Sequence, residues 1–279
     1  CGERENEMEV HVLEALSDNY MYLIVDTAAK QAAVVDPVDA SVCCSAAKDL
    51  GVSITVVLTT HHHFDHAGGN NDMKKLLPDI IIVGGAGDAI QGMTKPVKDG
   101  DLIEIGNCVS VACVHTPCHT AGHMSYLASM PGVAPAIFTG DILFVGGCGR
   151  FFEGGPEEMC ASVKKLSQLS HETRVFCGHE YTVKNLQFAL DVDPNNQELQ
   201  DKMIWSQQVR AEGKCTVPST IGDELKINPF MRVGDPVVRS YCSDAGDDVL
   251  TMRRLRNKKD NFTGSSRPWL PGGGPLPGL

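Results

Sequence analysis

The sequence predicts an α/β fold in which two β-sheets pack face to face with helices outside, followed by a small helical domain at the C-terminal end. Three observations carry this prediction. Short β-branched runs recur along the first part of the chain, with helix-like stretches between some of them. Several of these runs end in a polar residue beside a glycine, the pattern of a buried strand that opens into a loop. From about Tyr181 onward the apolar residues take helical spacing instead.

In chain order the strand-like runs are EVHVL, MYLIV, AAVVD, ITVVL, IIIVG, CVSVACV, MSYLA, AIFTG and TRVFC. Their β-branched content and alternation suit strands packed on one or both faces. Asp18 and Asn19, in LSDNYMYL, suit a cap or turn between the first two strands. NNDMKKLL starts a helix after Gly68 and Gly69. GGAGD, Gly84 to Asp88, lacks the full G-x-G-x-x-G pattern with its helix and distant acid, so it reads as a turn and not as a nucleotide site. Beyond Tyr181, VKNLQFALDV, ELQDKMIWSQQVRAEG and DDVLTMRRLRNKKD read as helices with no strand following. SSRPWLPGGGPLPGL is rich in proline and glycine and offers no periodic apolar face, so disorder is expected there. The resulting division is a leader remnant or non-native stretch at 1–7, an α/β domain at 8–180, a helical domain at 181–263 and a proline- and glycine-rich tail at 264–279.

The most informative run is LTTHHHFDHAGGN, which sets His61, His63, Asp65 and His66 within six residues. Imidazoles and a carboxylate at this density exceed what packing needs and suit zinc or iron. If VSITVVLTT is a strand, residues two apart at its end point the same way, so His61 and His63 can share one ion while His62 points elsewhere. Asp65 and His66 follow where the chain must turn, which suggests a second ion. A histidine-rich surface loop is the plain alternative. It loses ground to three further runs, VACVHTPCHTAGH with His119, APAIFTGDILF with Asp141 and RVFCGHEYT with His179. Each reads as an apolar strand ending in a loop that carries one ligand, so loops from one sheet edge would converge.

On these residues the chain resembles the metallo-β-lactamase superfamily and, within it, the glyoxalase II (hydroxyacylglutathione hydrolase) family. The resemblance spans roughly Met8 to Thr263 and includes DNYMYLIVD, AVVDPVD, GCGRFFEG, CGHEYTVKNL, VPSTIGDE, NPFMR and MRRLRNKKDNF as well as the runs above. It implies a metallo-β-lactamase αββα sandwich. It also implies two divalent metal ions per chain: His61, His63 and His119 hold one, Asp65, His66 and His179 the other, and Asp141 bridges them. Zinc, iron and manganese all tolerate such nitrogen and oxygen ligands. By the same resemblance, Arg256 and Lys259 bind the carboxylates of glutathione, with Arg150 and Tyr181 completing the thiol-side pocket.

The chain departs from the family pattern in places. Arg150 stands where lysine is common, and its planar fork binds carboxylate differently from a point charge. Phe152, also in the substrate pocket, occupies a position where tyrosine is common, so one hydroxyl contact is absent. Phe64 replaces a tryptophan and Ile142 a threonine. No departure removes a metal ligand, so altered affinity is expected and not lost chemistry. His115 and His123 flank His119 at positions the family does not use for metal and read as packing residues. His11 and His171 read as ordinary strand or surface residues.

Composition narrows the function classes. With 279 residues and 42% hydrophobic content the chain can build one large core and a smaller appendage. A formal charge of −11 excludes nucleic acid as the main partner, since phosphate binding needs a dominant basic surface. Eleven cysteines, with no C-x-x-C pair, suggest free thiols in a reducing compartment. Cys108, Cys113, Cys118, Cys148 and Cys177 lie in or beside apolar runs and read as packed thiols. No apolar run reaches the length of a membrane span and no signal-peptide core stands at the N-terminus, which predicts a soluble, cytoplasmic protein. The residues before Met8 are also compatible with a longer mitochondrial precursor. A monomer is expected.

Two cations roughly 3.5 Å apart lower the pKa of a shared water to about 7 and polarise a carbonyl, so the chemistry is metal-assisted hydrolysis. The expected nucleophile is a metal-bound hydroxide held by Asp65 and Asp141. A thioester suits such a site, because its thiolate, with a pKa near about 8.5, departs without a dedicated proton donor. MRRLRNKKD concentrates Arg253, Arg254, Arg256, Lys258 and Lys259 in an otherwise acidic chain, and Arg256 and Lys259 share a helix face. The expected reaction is hydrolysis of S-D-lactoylglutathione, or related 2-hydroxyacylglutathiones, to glutathione and the hydroxy acid, the second step of methylglyoxal detoxification. Two other readings compete with it. A persulfide dioxygenase with a single iron would leave Asp65, His66 and His179 not all bound to metal, and a regulatory paralogue would keep ligands without turnover.

Overall fold

A computed structural model describes residues 7–243 and 246–264, and the predicted disordered tail lies outside the described residues apart from Gly264. The chain opens with an antiparallel meander of β1 (Met8–Ala15), β2 (Asn19–Asp26) and β3 (Gln31–Val35). Helix α1 (Ala40–Leu50) starts at Asp39, whose carboxylate accepts from the Ser41 and Val42 amides, and ends at Gly51 with φ 68°. The chain then runs parallel through β4 (Ser53–Leu58), the short helices α2 (Phe64–Ala67) and α3 (Asn70–Leu76), β5 (Ile81–Gly85) and β6 (Lys95–Val97), completing a six-stranded sheet in sequence order.

The second sheet is built from β7 (Leu102–Ile105), β8 (Val109–His115), β9 (Met124–Met130) and β10 (Val133–Gly140). A small hairpin, β11 (Leu143–Phe144) and β12 (Gly147–Cys148), precedes α4 (Pro156–Ser167), after which β13 (Arg174–Cys177) lies parallel to β10. The remainder is α5 (Thr182–Val192), α6 (Gln197–Ala211), β14 (Ser219–Thr220), α7 (Ile221–Ile227), a 3-10 turn at Pro229–Met231, α8 (Pro236–Tyr241) and α9 (Asp248–Asp260). β14 corrects the expectation that no strand follows Tyr181, because it pairs antiparallel with β13 at the sheet edge. Two residues are too few to leave a periodic signal.

Side-chain alternation explains the layering. Along β2, Tyr20, Tyr22 and Ile24 face the second sheet's core residues, while Met21, Leu23 and Val25 join Ala40, Cys43 and Ala47 of α1 and Met73 of α3. Every residue of β2 is therefore buried, and the strand carries apolar side chains on both faces. Between the sheets, the Tyr22 ring lies 5.3 Å from both Phe138 and Phe176. The C-terminal helices close the other side of the second sheet, where Ile137 and Val175 share a core with Met159 of α4, Phe188 of α5, Phe230, and Met252 and Leu255 of α9. Cys113, Cys118, Cys148 and Cys177 are buried as expected, and Cys108 is half-buried against the inter-sheet core.

The consequence for function is geometric. β3, β4, β10 and β13 all end in the same region, so the loops that follow them meet there, joined by the β1–β2 and β8–β9 connections.

Candidate metal centre

β4 ends at Leu58, three residues before His61, so His61 and His63 lie in the loop beyond the strand and not on its end. They still face one another. The Thr59 amide donates to Val83 O at 2.9 Å and the Thr60 amide to Asp36 Oδ1 at 2.7 Å, which fixes the loop's path. Asp65 and His66 are on α2, a single helical turn, where the sequence suggested a turn without helix. Successive helical side chains diverge by about 100°, which separates this pair from His61 and His63 while keeping both near the centre. His62, as expected, points away, to the buried Asp88 carboxylate.

Three groups of ligand-type atoms form, each with its atoms within 4.8 Å of one another: His61, His63 and His119; His61, His66 and Asp141; Asp65, His66 and His179. His63 Nδ1 lies 3.0 Å from both His61 Nε2 and His119 Nε2. His66 Nε2 lies 3.3 Å from His179 Nε2, and Asp65 Oδ2 is 3.3 Å from the latter. Asp141 stands between the sets. Its Oδ1 is 3.3 Å from His66 Nε2, and its Oδ2 is 3.5 Å from His119 Nε2 and 3.4 Å from His179 Nε2.

The glycines beside these ligands are required by contact. A Cβ at Gly140, whose φ is 46°, would come within 2.7 Å of His123 Nε2 and Thr60 Oγ1. At Gly178 it would reach 2.4 Å from Asp141 Oδ1 and 2.7 Å from the His66 ring.

Around these atoms a ring of acceptors fixes the imidazole tautomers. His119 Nδ1 donates to Arg150 O at 2.9 Å, His66 Nδ1 to Asp36 Oδ2 at 3.0 Å and His179 Nδ1 to Asp18 Oδ1 at 2.9 Å. Thr60 Oγ1 donates to Asp36 Oδ2 at 2.7 Å and so accepts from His61 Nδ1 at 3.0 Å. Each of these rings therefore turns Nε2 inward, the arrangement that orients metal-binding imidazoles. Asn19 Nδ2 donates to the Asp65 carbonyl and carboxylate at 2.9 and 3.2 Å, and His123 Nε2 accepts the Asp141 amide at 3.3 Å.

Asp18 and Asn19 read as turn residues in the sequence, and Asp36 stood only within the family-like run AVVDPVD, with no role of its own. Their role appears only when β1–β2, the end of β3 and the His179 loop meet. Asp18→Ala is expected to weaken metal affinity by about 10- to 100-fold, read by competition with a chromophoric chelator; unchanged affinity would remove Asp18 from the supporting shell.

The electrostatics are those of a site built for positive charge. Burial pushes the His61, His63 and His119 imidazoles below their usual range, toward the neutral form that binds metal. Burial opposes charge on His66 and His179 as well. There Asp141 prevails, joined by Asp36 for the first and Asp65 for the second, lifting His66 well above its usual range and His179 to about 10. Asp141 resists burial and is held well below the usual carboxylate range by His66 and His179, and Asp65 is lowered chiefly by His179.

These residues fit divalent metal. Asp141 Oδ1 is buried without a hydrogen-bond partner, although an unpaired buried carboxylate oxygen is costly. The facing imidazole nitrogens likewise lie within 4.8 Å of the other ligand-type atoms of their group.

A cavity of about 600 Å³ opens onto the centre, within the range of small-molecule sites. Besides ligands, its wall includes Arg150, Phe152, Tyr181, Arg256 and Lys259, so the structure brings every residue of the expected substrate set to one place. The Tyr181 ring stacks on His179 at 4.7 Å, and Phe152 packs 5.1 Å from the His119 ring. On α9 the basic run divides. Arg256 is buried over the Phe230 ring and donates to Cys148 O at 3.0 Å, whereas Arg253 is exposed. Lys259 Nζ donates to Lys184 O at 3.1 Å beside the Phe188 ring. Burial and then the Arg256 charge pull its pKa down to about 8.

Comparisons with known proteins agree with this geometry. Residues 18–179 match the family model described as metallo-beta-lactamase superfamily, and residues 180–262 match that of the hydroxyacylglutathione hydrolase C-terminus. The cytoplasmic hydroxyacylglutathione hydrolase of Arabidopsis thaliana is 48% identical, covering 92% of this chain and 100% of its own length. The hydroxyacylglutathione hydrolase of a Synechocystis strain is 40% identical, with coverages of 91% and 100%. Among solved structures, ETHE1 from Myxococcus xanthus superposes with a TM-score of 0.65 at 24% identity, covering 93% of each chain, a likeness of fold. With nearly the whole chain matched at this identity, and with the sandwich and helical segment in place, the chain belongs to the hydroxyacylglutathione hydrolase family of the metallo-beta-lactamase superfamily.

Proposed function

We propose that this chain is a thioester hydrolase that cleaves S-D-lactoylglutathione and related S-2-hydroxyacylglutathiones to glutathione and the 2-hydroxy acid. The single observation that carries the reading is one cavity shared by Asp141 and its facing histidines with Arg150, Arg256, Lys259 and Tyr181. The family membership and the relatives' names support it.

In this reading two divalent ions, zinc with iron or manganese as alternatives, are held by His61, His63 and His119 and by Asp65, His66 and His179, with Asp141 shared. When bound, such ions supply a water-derived nucleophile near neutral pH and polarise the thioester carbonyl. The chain's own part is placement. Asp65 and Asp141 orient the attacking water, and the Arg256 fork and the Lys259 ammonium take the carboxylates of glutathione. Tyr181 and Arg150 line the thiol side, with Phe152 packed against the His63 and His119 rings. The leaving thiolate departs without a proton donor. The segment 8–180 acts as the catalytic domain and 181–263 as the substrate-binding domain. The single-iron alternative would leave Asp65, His66 and His179 clustered without purpose. We further propose a cytoplasmic monomer, the location being supported by the name of the Arabidopsis relative. Among the described residues no helix is long and apolar enough to cross a membrane.

The reading is tested by following thiol release from S-D-lactoylglutathione by the purified protein; absence of release would overturn it. The pH profile adds a check. Below about 8 Lys259 is charged, and as pH rises through that value the ammonium is lost. Since kcat/KM reports the free enzyme, it should fall above pH about 8 through a rising KM, with kcat nearly level. A flat KM up to pH about 9.5 would exclude Lys259 as a carboxylate partner.

A further inference from the structure

One charged group beside the cavity has no part in the reading so far. Asp260 is the last residue of α9, where a carboxylate opposes the helix dipole. Its i,i+4 partner Arg256 lies on its N-terminal side, the less favourable order for a helical ion pair. Helix stability therefore does not account for an acid here.

Its contacts do. Asp260 Oδ1 lies 2.9 Å from Arg256 Nη2 on the same helix and 3.7 Å from Arg150 Nε in the loop after β12. Both arginines line the cavity and Asp260 does not. Arg256 Nη1 is already committed to Cys148 O and Nε is buried without a partner, so the Asp260 contact completes the orientation of the fork. Arg150 stands mostly in water, with its side chain 64% exposed, and a mobile guanidinium there pays ordering entropy whenever a ligand engages it.

We propose that Asp260 is a positioning residue for substrate: through one carboxylate oxygen it sets the Arg150 and Arg256 forks and balances the cationic wall of the cavity, so that this wall receives a carboxylate of the thioester. The inference rests on the glutathione-thioester reading above. Lys259 shares in it. The charged and titratable groups facing Lys259 are Arg256 and Asp260 on α9, Cys148 on β12 and Lys184 on α5. Asp260 favours the charged ammonium where Arg256 and Lys184 oppose it, so its removal shifts neutralisation of Lys259 to lower pH.

The test compares metal-loaded, full-length wild type with Asp260→Asn and Asp260→Glu, measuring kcat and KM from pH about 6 to 9.5. Two substrates are used: S-D-lactoylglutathione, and the uncharged thioester N-acetyl-S-lactoylcysteamine. In Asp260→Asn the ratio of kcat/KM for the charged over the neutral thioester should fall about tenfold, chiefly through KM, the scale of one charge-assisted hydrogen bond. The descending limb of kcat/KM for the glutathione thioester should move to lower pH, and Asp260→Glu should recover most of the ratio. Asp260→Ser carries the same expectation and decides the matter where the asparagine variant does not fold. A ratio within twofold of wild type with an unmoved limb, or a lower KM in Asp260→Asn, overturns the inference while leaving the hydrolase reading intact. Should wild type show no preference for the glutathione thioester over the neutral one, the reading beneath fails and the inference falls with it.

Discussion

Asp141→Asn is expected to lower kcat/KM for S-D-lactoylglutathione by at least about a thousandfold and to reduce the metal content of the purified protein. The reason lies in where the two oxygens point. Oδ1 faces His66 and Oδ2 faces His119 and His179, so a single carboxylate serves both ligand groups. Asparagine keeps the shape and turns one oxygen into an NH₂ group that cannot bind a cation. It also removes the negative charge that draws positive charge into the site. The fold should survive, because the volume is unchanged and the backbone amide still donates to His123. Metal analysis beside kinetics checks this, and a variant retaining two ions and activity within tenfold of wild type would show that Asp141 is not shared.

The second large effect is on binding. Replacing Arg256 and Lys259 together by alanine should raise KM for S-D-lactoylglutathione by about 10²- to 10⁴-fold, at roughly 1.5–3 kcal/mol for each charged hydrogen bond, with kcat changed only a few-fold. A KM effect without a kcat effect marks binding energy common to ground and transition states. Arg256 is packed on Phe230 and holds Cys148 O, so its truncation also loosens the β12 loop. Arg256→Met with Lys259→Met retains more of the packing and should give the same kinetic signature. Unchanged KM in both pairs would separate the basic helix from substrate recognition even if the metal residues stand.

Local density made the candidate metal ligands legible in the sequence. His61, His63, Asp65 and His66 occupy six positions, and His119, Asp141 and His179 each follow a recognisable strand. The sandwich was legible for the same reason, because fully buried strands such as β2 are apolar runs of the right length. Short elements escaped: β7 has four residues, and β6, β11, β12 and β14 have three or fewer, too short for any period. The path of the chain past β4 also escaped, since no pattern in HHHFDH tells a loop and one helical turn from a strand end and a turn.

The supporting residues were hidden for a different reason. Asp18, Asn19 and Asp36 act on His179, Asp65 and His66 across 30 to 161 residues of chain. Sequence spacing carries no record of such contacts. Asp260 has no assigned role in the sequence reading, and its place beside Arg150 and Arg256 appears only in the structure.

The measurement that tests the central claim most directly is metal content per chain alongside hydrolysis of S-D-lactoylglutathione, before chelation, after it, and after divalent metal is restored. Two ions per chain, with activity lost on chelation and regained with metal, is the expected result. Metal-free protein that cleaves the thioester at full rate, or a single iron per chain accompanied by oxygen consumption, would contradict it.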